Sequence, residues 1–340
     1  MSITRYILVS AMCVGCSATA VAADLTVTAF GGSWERAYKE CFVKPFEQRT
    51  GKTVDVILGS PMQWINQIAA DPKHPPIDVM IGLVDSGLIA QKRGLVEPIN
   101  AKNVPNIAKL KPYMVAYGKG YGFPIAYGDF GIMYSKSRVK NPPKTWKDFV
   151  NRTVAGDWQA ALPGINYVAT IQGFIGLFAK VYGGKLTDVQ PGLDQIKRMR
   201  DSGNAVFYNE PNAPLVAMKS GNIDIAMYFD GRAYAAHDSS NPDIGYLNPA
   251  PGAVAFPTMV QKVKNGSPLG FDFINEIAST PGQTCFANKM LYSAANKDVK
   301  YDKDVAPRVA KDDESLWLPF DVIAEETPKW VEMWNKQIGR

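Results

Sequence analysis

"LTVTAFGGSWERAYKECFVKPF" spans Leu25 to Phe46 and contains one complete strand, turn and helix. Leu25–Phe30 is rich in apolar and β-branched residues, which suits a strand. Gly31-Gly32-Ser33 makes the turn. Trp34, Tyr38, Cys41 and Phe42 then recur at helical spacing and predict a helix with one buried face. The pattern repeats downstream. "TVDVIL" (Thr53–Leu58) is a second strand, "PMQWINQIAA" (Pro61–Ala70) a helix opened by Pro61 after a capping Ser60, and "DVMIGL" (Asp78–Leu83) a third strand. Strand–helix–strand alternation predicts an α/β fold with mostly parallel sheet covered by helices.

The alternation is interrupted between Tyr113 and Tyr134, where Gly and aromatic residues crowd into "YMVAYGKGYGFPIAYGDFGIMY". It resumes with the helix "YVATIQGFIGLFAKVY" (Tyr167–Tyr182), the helix "PGLDQIKRMRD", the strand "AVFY", the helix "APLVAMKS" and the strand "IDIAMYF" (Ile223–Phe229). A second Pro/Gly-rich extended stretch, "NPAPGAVAFPTMVQK", leads to an amphipathic C-terminal helix with Trp330, Trp334 and Ile338 on one face. Two alternating regions joined by extended crossings near 123–135 and 252–260 predict two lobes and a hinge. The expected division is lobe 1 from 24–128 with 256–340, and lobe 2 from 129–255. A cleft between such lobes is a preferred ligand site.

The N-terminus has one Arg, an apolar stretch from Tyr6 to about Cys16, and Ala20-Val21-Ala22 in an A-x-A arrangement. This predicts a secretory signal peptide over 1–23, cut near Ala22 or Ala23, and delivery to the periplasm. Val14-Gly15-Cys16 offers the alternative of lipidation at Cys16. Cleavage would remove Arg5, the one charged residue of that segment, and take the formal charge of the chain from +5 to +4. So small and dispersed a charge argues against a nucleic-acid binder. Cys13 and Cys16 form a C-x-x-C inside the discarded segment, leaving Cys41 and Cys285. In an exported chain these two are expected to form a disulfide, with separately buried thiols as the alternative.

Catalytic equipment is sparse. His74 and His237 are the two histidines, and the sequence has no H-E-x-x-H, cysteine cluster, EF-hand loop or G-x-S-x-G. "GKGYG" (Gly118–Gly122) lacks the strand-before, helix-after context of a phosphate loop. No metal, cofactor or enzymatic activity is expected. An exported hydrolase using a carboxylate pair is the rival class.

Binding chemistry is better represented, at the ends of strands. Gly31, Gly32 and Ser33 allow close approach to a helix N-terminus that suits an anion, with Trp34 as a wall. Ser60 and Gln63 open the next helix, and Asp85 follows the third strand. Tyr127 and Asp129 lie in the first crossing, while Tyr167 and Thr170 open the second-lobe helix. In "FDGRA" (Phe229–Ala233), Asp230 is placed to cap a helix. Arg232 in the first turn opposes the charge that a helix start prefers. Its fork suits a carboxylate or phosphate-like group, so Arg232 is expected to hold an anionic ligand group and Asp230 to accept an amine or orient Arg232.

"FGGSWERAYKECFVKPFEQRTG", "GFPIAYGDFGIMYSKSRVKNPPKTWKDF" and "SGNIDIAMYFDGRAYAA" together resemble the periplasmic solute-binding proteins of ABC importers, specifically the spermidine/putrescine-type group. The resemblance implies a two-lobed type II fold with two hinge crossings, closure on one solute, and delivery to a permease driven by a separate ATPase, with the binding protein as a monomer. Polyamine binders of that group place acids at the start of the second-lobe helix and after the second crossing. Here "LPGINYVAT" has no acid, and "AFPTMV" offers Phe256 and Thr258. Arg232 beside a polycation would be repulsive. The expected solute therefore carries a carboxylate and an amine, such as γ-aminobutyrate. A polyamine, an aminophosphonate and an opine-like conjugate are the alternatives.

Overall fold

The computed structural model describes residues 23–339, so the expected signal peptide and the lipidation alternative at Cys16 lie outside the described residues. Ten strands share one sheet: β1 (Leu25–Ala29), β2 (Val54–Leu58), β3 (Val79–Leu83), β4 (Phe123–Ser135), β5 (Ala160–Pro163), β6 (Ala205–Tyr208), β7 (Ile225–Phe229), β8 (Ile244–Leu247), β9 (Val254–Lys262) and β10 (Ser293–Ala294). The order is β2-β1-β3-β9-β4-β7-β5-β6, with β8 and β10 also pairing β4. Both ends of the sheet are parallel, β1 with β2 and β3, and β5 with β6 and β7. Its centre is antiparallel.

That centre joins the two halves. β4 is 13 residues long and pairs through Phe123–Phe130 with β9, then through Phe130–Tyr134 with β7. β9 in turn pairs with β3. The two extended stretches of the sequence are thus the two crossings of a two-lobed α/β fold.

Each half has its own core. Around β1 and β3, Trp34, Tyr38, Phe42 and Phe46 are buried together with Phe273 and Phe286. Trp34 stacks on Tyr38 at 5.0 Å and meets Phe286 edge-on at 5.2 Å. The helical run from Ser33 passes through a π-helical turn at Lys39–Val43 and stops after Thr50, where Gly51 takes φ 69°. Left-handed backbone of this kind costs glycine nothing and other residues about 1–2 kcal/mol. Around β5 and β7 the second core includes Trp146, Phe174 and Phe178, and it also takes in Trp330 and Trp334 of the helix Phe320–Gln337. Trp334 lies 5.4 Å from Phe207, and Trp330 Nε1 donates to the Leu186 carbonyl at 3.2 Å. We propose the lobe division of 24–128 with 256–340 against 129–255, amended by this packing, which favours assigning the C-terminal helix to the second lobe. Among the described residues no helix is long and apolar enough to cross a membrane.

Cys41 and Cys285 form a disulfide with Cα atoms 5.5 Å apart, across 244 residues of sequence. It ties the first long helix to Thr280–Met290, a segment reached only after the chain has built the second lobe and returned. A cross-link that closes so long a loop restricts the unfolded chain strongly. Cys285→Ser is expected to lower the unfolding free energy by about 2–5 kcal/mol, measured by denaturant titration. Reductant should bring the parent protein to the same midpoint, and an unchanged midpoint would show that the bridge adds nothing.

Candidate functional site

Because β1, β2 and β3 run parallel, their C-terminal ends share one edge, and the same holds for β5, β6 and β7. Ligands of open α/β sheets bind outside such edges. A cavity of about 590 Å³ lies there, lined from the first lobe by Gly31, Trp34, Ser60 and Gln63 and from the second by Asn166, Tyr167, Glu210 and Arg232, with Phe229, Phe256, Thr258 and Tyr292 between. The size suits a small organic molecule.

Arg232 is the third residue of the helix Asp230–Ser239 and is only 7% exposed. Its Nη2 donates to the Gly31 carbonyl at 3.1 Å, reaching from the second lobe to the first. The phenols of Tyr167, Tyr228, Tyr292 and Tyr208 are its neighbours, and among the described residues no carboxylate pairs with it. A buried cation without a counter-ion is costly, and an anionic ligand would offset that cost. Gly32 makes room for it. At φ 78° the backbone favours glycine there, and a Cβ on Gly32 would stand 3.2 Å from Arg232 Nη1, a tight contact.

The cavity takes Trp34, Ser60, Tyr167, Phe229, Arg232, Phe256 and Thr258 from the residues singled out in the sequence. Ser60 was expected to cap its helix, but its side chain makes no capping bond, which leaves the hydroxyl at the cavity wall. Asp85 lines an adjoining cavity. Gly32 and Ser33 form the turn beside Gly31 and line neither cavity. Tyr167 lies in the turn before its helix, which begins at Thr170 with a π-helical segment.

Four expected residues face internal partners instead. Thr170 Oγ1 donates to the Gly164 carbonyl at 2.5 Å. Tyr127 is buried against Trp317, and its hydroxyl donates to the Asp312 carboxylate and to the Ala310 carbonyl. Asp129 accepts from Asn248 Nδ2 at 2.8 Å, and its other oxygen is buried without a partner. Asp230 is the first helical residue rather than the N-cap, and accepts the backbone N–H groups of Asp129 at 2.8 Å and Gly231 at 2.6 Å. Asn166, Asn209, Glu210 and Tyr292 line the cavity without having been singled out. Asn209 directly follows β6, so the strand-end pattern that pointed to Ser60 and Arg232 applies equally to it. Tyr292 follows a helix end and carries no such signal.

Asp129 and Asp230 form a buried acidic pair behind the cavity. Burial pushes the Asp129 carboxyl up to about 6, against the hydrogen bonds from Ser315 and Asn248. Burial and the Asp129 charge push Asp230 well above the ordinary carboxylate range.

Residues 74–326 match the profile of a family described as bacterial extracellular solute-binding protein. The thiamine-binding periplasmic protein of Escherichia coli K12 is 28% identical over 139 residues, 38% of this chain and 37% of that protein. An uncharacterized Haemophilus influenzae protein is matched over 50% of its length, so the chain spans half or less of these curated relatives. An extracellular solute-binding protein of Bordetella parapertussis, 26% identical, superposes with a TM-score of 0.75 over 92% of this chain and 98% of that one. AgtB of Agrobacterium tumefaciens R10, solved with agropinic acid, shares the fold at 18% identity and a TM-score of 0.77, covering 94% of this chain and 100% of that one.

Raised carboxyl values mean that the folded protein holds protons the unfolded chain has released. The stability contributed by Asp129 is therefore complete below about pH 3.9, the unfolded value, and is lost as pH rises through about 6, while that of Asp230 persists to higher pH. Asp129→Asn removes the carboxyl that titrates at about 6. It is expected to raise the unfolding free energy at pH 7 by about 1–2 kcal/mol and to change it little at pH 4, measured by denaturant titration at both values. Equal effects at the two pH values would show that the pair does not titrate with folding.

Proposed function

The chain belongs to the bacterial extracellular solute-binding proteins, and from that premise we propose that it is the periplasmic binding component of an ABC importer for a small organic solute bearing a carboxylate and an amine. Its family is one of solute binders, not enzymes. The cleft would capture the solute as a monomer and deliver it to a membrane permease served by an ATPase.

The observation that carries the solute class is Arg232, buried in the cleft with no acid beside it. Its planar fork pairs with a carboxylate through two parallel hydrogen bonds. The Ser60 hydroxyl and the helix start at Pro61 supply further donors on the facing lobe. Trp34, Phe229, Phe256 and Tyr292 are suited to pack the carbon skeleton. Two carboxylates remain to receive an amine, Glu210 at the main cavity and Asp85 in the adjoining one. Asp129 and Asp230, expected to share that role, are engaged with internal partners.

The cavity of about 590 Å³ accepts γ-aminobutyrate with space to spare, and also a larger opine-like conjugate. The structures superposing on this chain include the Atu4243-GABA receptor and AgtB with agropinic acid. An aminophosphonate would satisfy the same guanidinium. A polyamine would bring its ammonium groups beside Arg232 with few acids to offset the repulsion.

A thermal-shift panel of γ-aminobutyrate, related amino acids, aminophosphonates, opine-like conjugates, putrescine and spermidine tests this. A compound bound only by the folded state adds about 2.7 kcal/mol at 100 times its dissociation constant. The strongest compound is expected to carry a carboxylate, and Arg232→Gln to weaken it by about 2–5 kcal/mol. A polyamine that binds equally well to Arg232→Gln would overturn the assignment.

A further inference from the structure

The cleft has a second chamber. A space of about 680 Å³ shares Ser60, Leu83, Asn166, Tyr167 and Val168 with the main cavity, so the two adjoin along these residues. Its far wall is the C-terminal helix Phe320–Gln337, which contributes Thr327, Val331 and Asn335. Its chemistry differs from that of the first chamber. Aromatic side chains dominate around Arg232, whereas here Met62, Ile89, Ile165, Ile171 and Val331 alternate with the polar side chains of Ser86, Thr327 and Asn335, and Tyr167 is the one aromatic ring.

One charged side chain lines this second space, the carboxylate of Asp85. Asp85 is 7% exposed, accepts a single side-chain hydrogen bond, from Gln172 Nε2 at 3.1 Å, and forms no ion pair among the described residues. Burial pushes its carboxyl up to about 6, against hydrogen bonds from nearby backbone amides and Gln172. Gln172 is fully buried, and its own carbonyl oxygen has no partner, so the amide is turned to serve Asp85. A nearly buried carboxyl with no ion-pair partner at the chamber wall suits a cationic ligand group.

We propose that the second chamber binds the terminal ammonium of an unbranched alkyl arm, with Asp85 as its partner. Building on the placement of a carboxylate at Arg232, this defines the solute class as long ω-amino carboxylates and amino acids with an alkylammonium side chain. The methylenes run past Tyr167 and the aliphatic side chains, and the ammonium meets Asp85. A methyl group at the same place would leave the carboxylate buried and unpaired, so the chamber selects charge at the end of the arm as well as length.

Calorimetric titration with γ-aminobutyrate, 5-aminopentanoate, 6-aminohexanoate and lysine, against pentanoate, hexanoate and norleucine, tests the proposal. The longer ammonium-ended compounds are expected to bind at least tenfold more tightly than their methyl-ended counterparts and than γ-aminobutyrate. Asp85→Asn should reduce the ammonium-over-methyl ratio to near one. Val331→Trp, which adds bulk at the far wall of the chamber, should lower affinity for 6-aminohexanoate at least tenfold more than for γ-aminobutyrate. Equal binding of ammonium- and methyl-ended acids, or a ratio that survives Asp85→Asn, overturns the second-chamber assignment while leaving the carboxylate site at Arg232 intact. If none of these carboxylates binds, or Arg232→Gln leaves their binding unchanged, the carboxylate site fails and the second-chamber assignment fails with it.

Discussion

Antiparallel pairing of β4 with β9 is the constraint on which the rest of the molecule depends. Phe123–Phe130 lie against Val254–Val260, and each strand also reaches outward, β9 to β3 and β4 to β7. Because these two strands join the halves, the C-terminal ends of β1–β3 are brought to face those of β5–β7. Parallel strands alone would not have done this; they require crossover helices that keep each half separate. The cleft follows from the pairing, and Ser60, Phe229, Arg232 and Thr258 are delivered to it by strand ends, helix starts or the crossings themselves.

Arg232 has its meaning within that geometry. The helix Asp230–Ser239 begins where β7 ends, so a residue in its first turn projects toward the opposite lobe, where it meets the Gly31 carbonyl at 3.1 Å. The local cost is considerable. A cation sits at the positive end of a helix, largely withdrawn from water, among phenols rather than carboxylates. Nothing in packing demands this arrangement, since Phe229, Phe256 and Tyr167 already close the apolar surface around it. Behind it, Asp129 and Asp230 repeat the pattern with the opposite charge, a buried polar group carried at a cost to stability.

The alternation of strands and helices was legible because its periods are local. β1, β2, β3 and β7 fall within the apolar runs read from Leu25, Thr53, Asp78 and Ile223. The pairing of Cys41 with Cys285 followed from their being the two cysteines left outside the expected signal peptide, and the disulfide is present. Side-chain direction in the crossings was not legible. Tyr127 and Asp129 share one face of β4 by the two-residue period, but which face meets the cleft is fixed by long-range pairing with Pro257 and Ala255. That face turns toward Trp317, Asn248 and Asp312, far away in sequence. Thr170 was obscured differently, since its hydroxyl answers a carbonyl in the preceding turn, a local bond that competes with any ligand. Glu210 was not singled out, and it reaches the cleft because β6 ends two residues before it.

The central claim is that the cleft is built around a cation awaiting an anionic group on the solute. The most direct test changes the solute and leaves the protein intact: calorimetric titration of the tightest carboxylate-bearing compound alongside its primary amide. The acid is expected to bind and the amide to bind at least a hundredfold more weakly, because the neutral group cannot satisfy the buried guanidinium. Equal affinity of acid and amide would contradict the claim and would mean that Arg232 braces the two lobes through Gly31 without contacting the solute's charge.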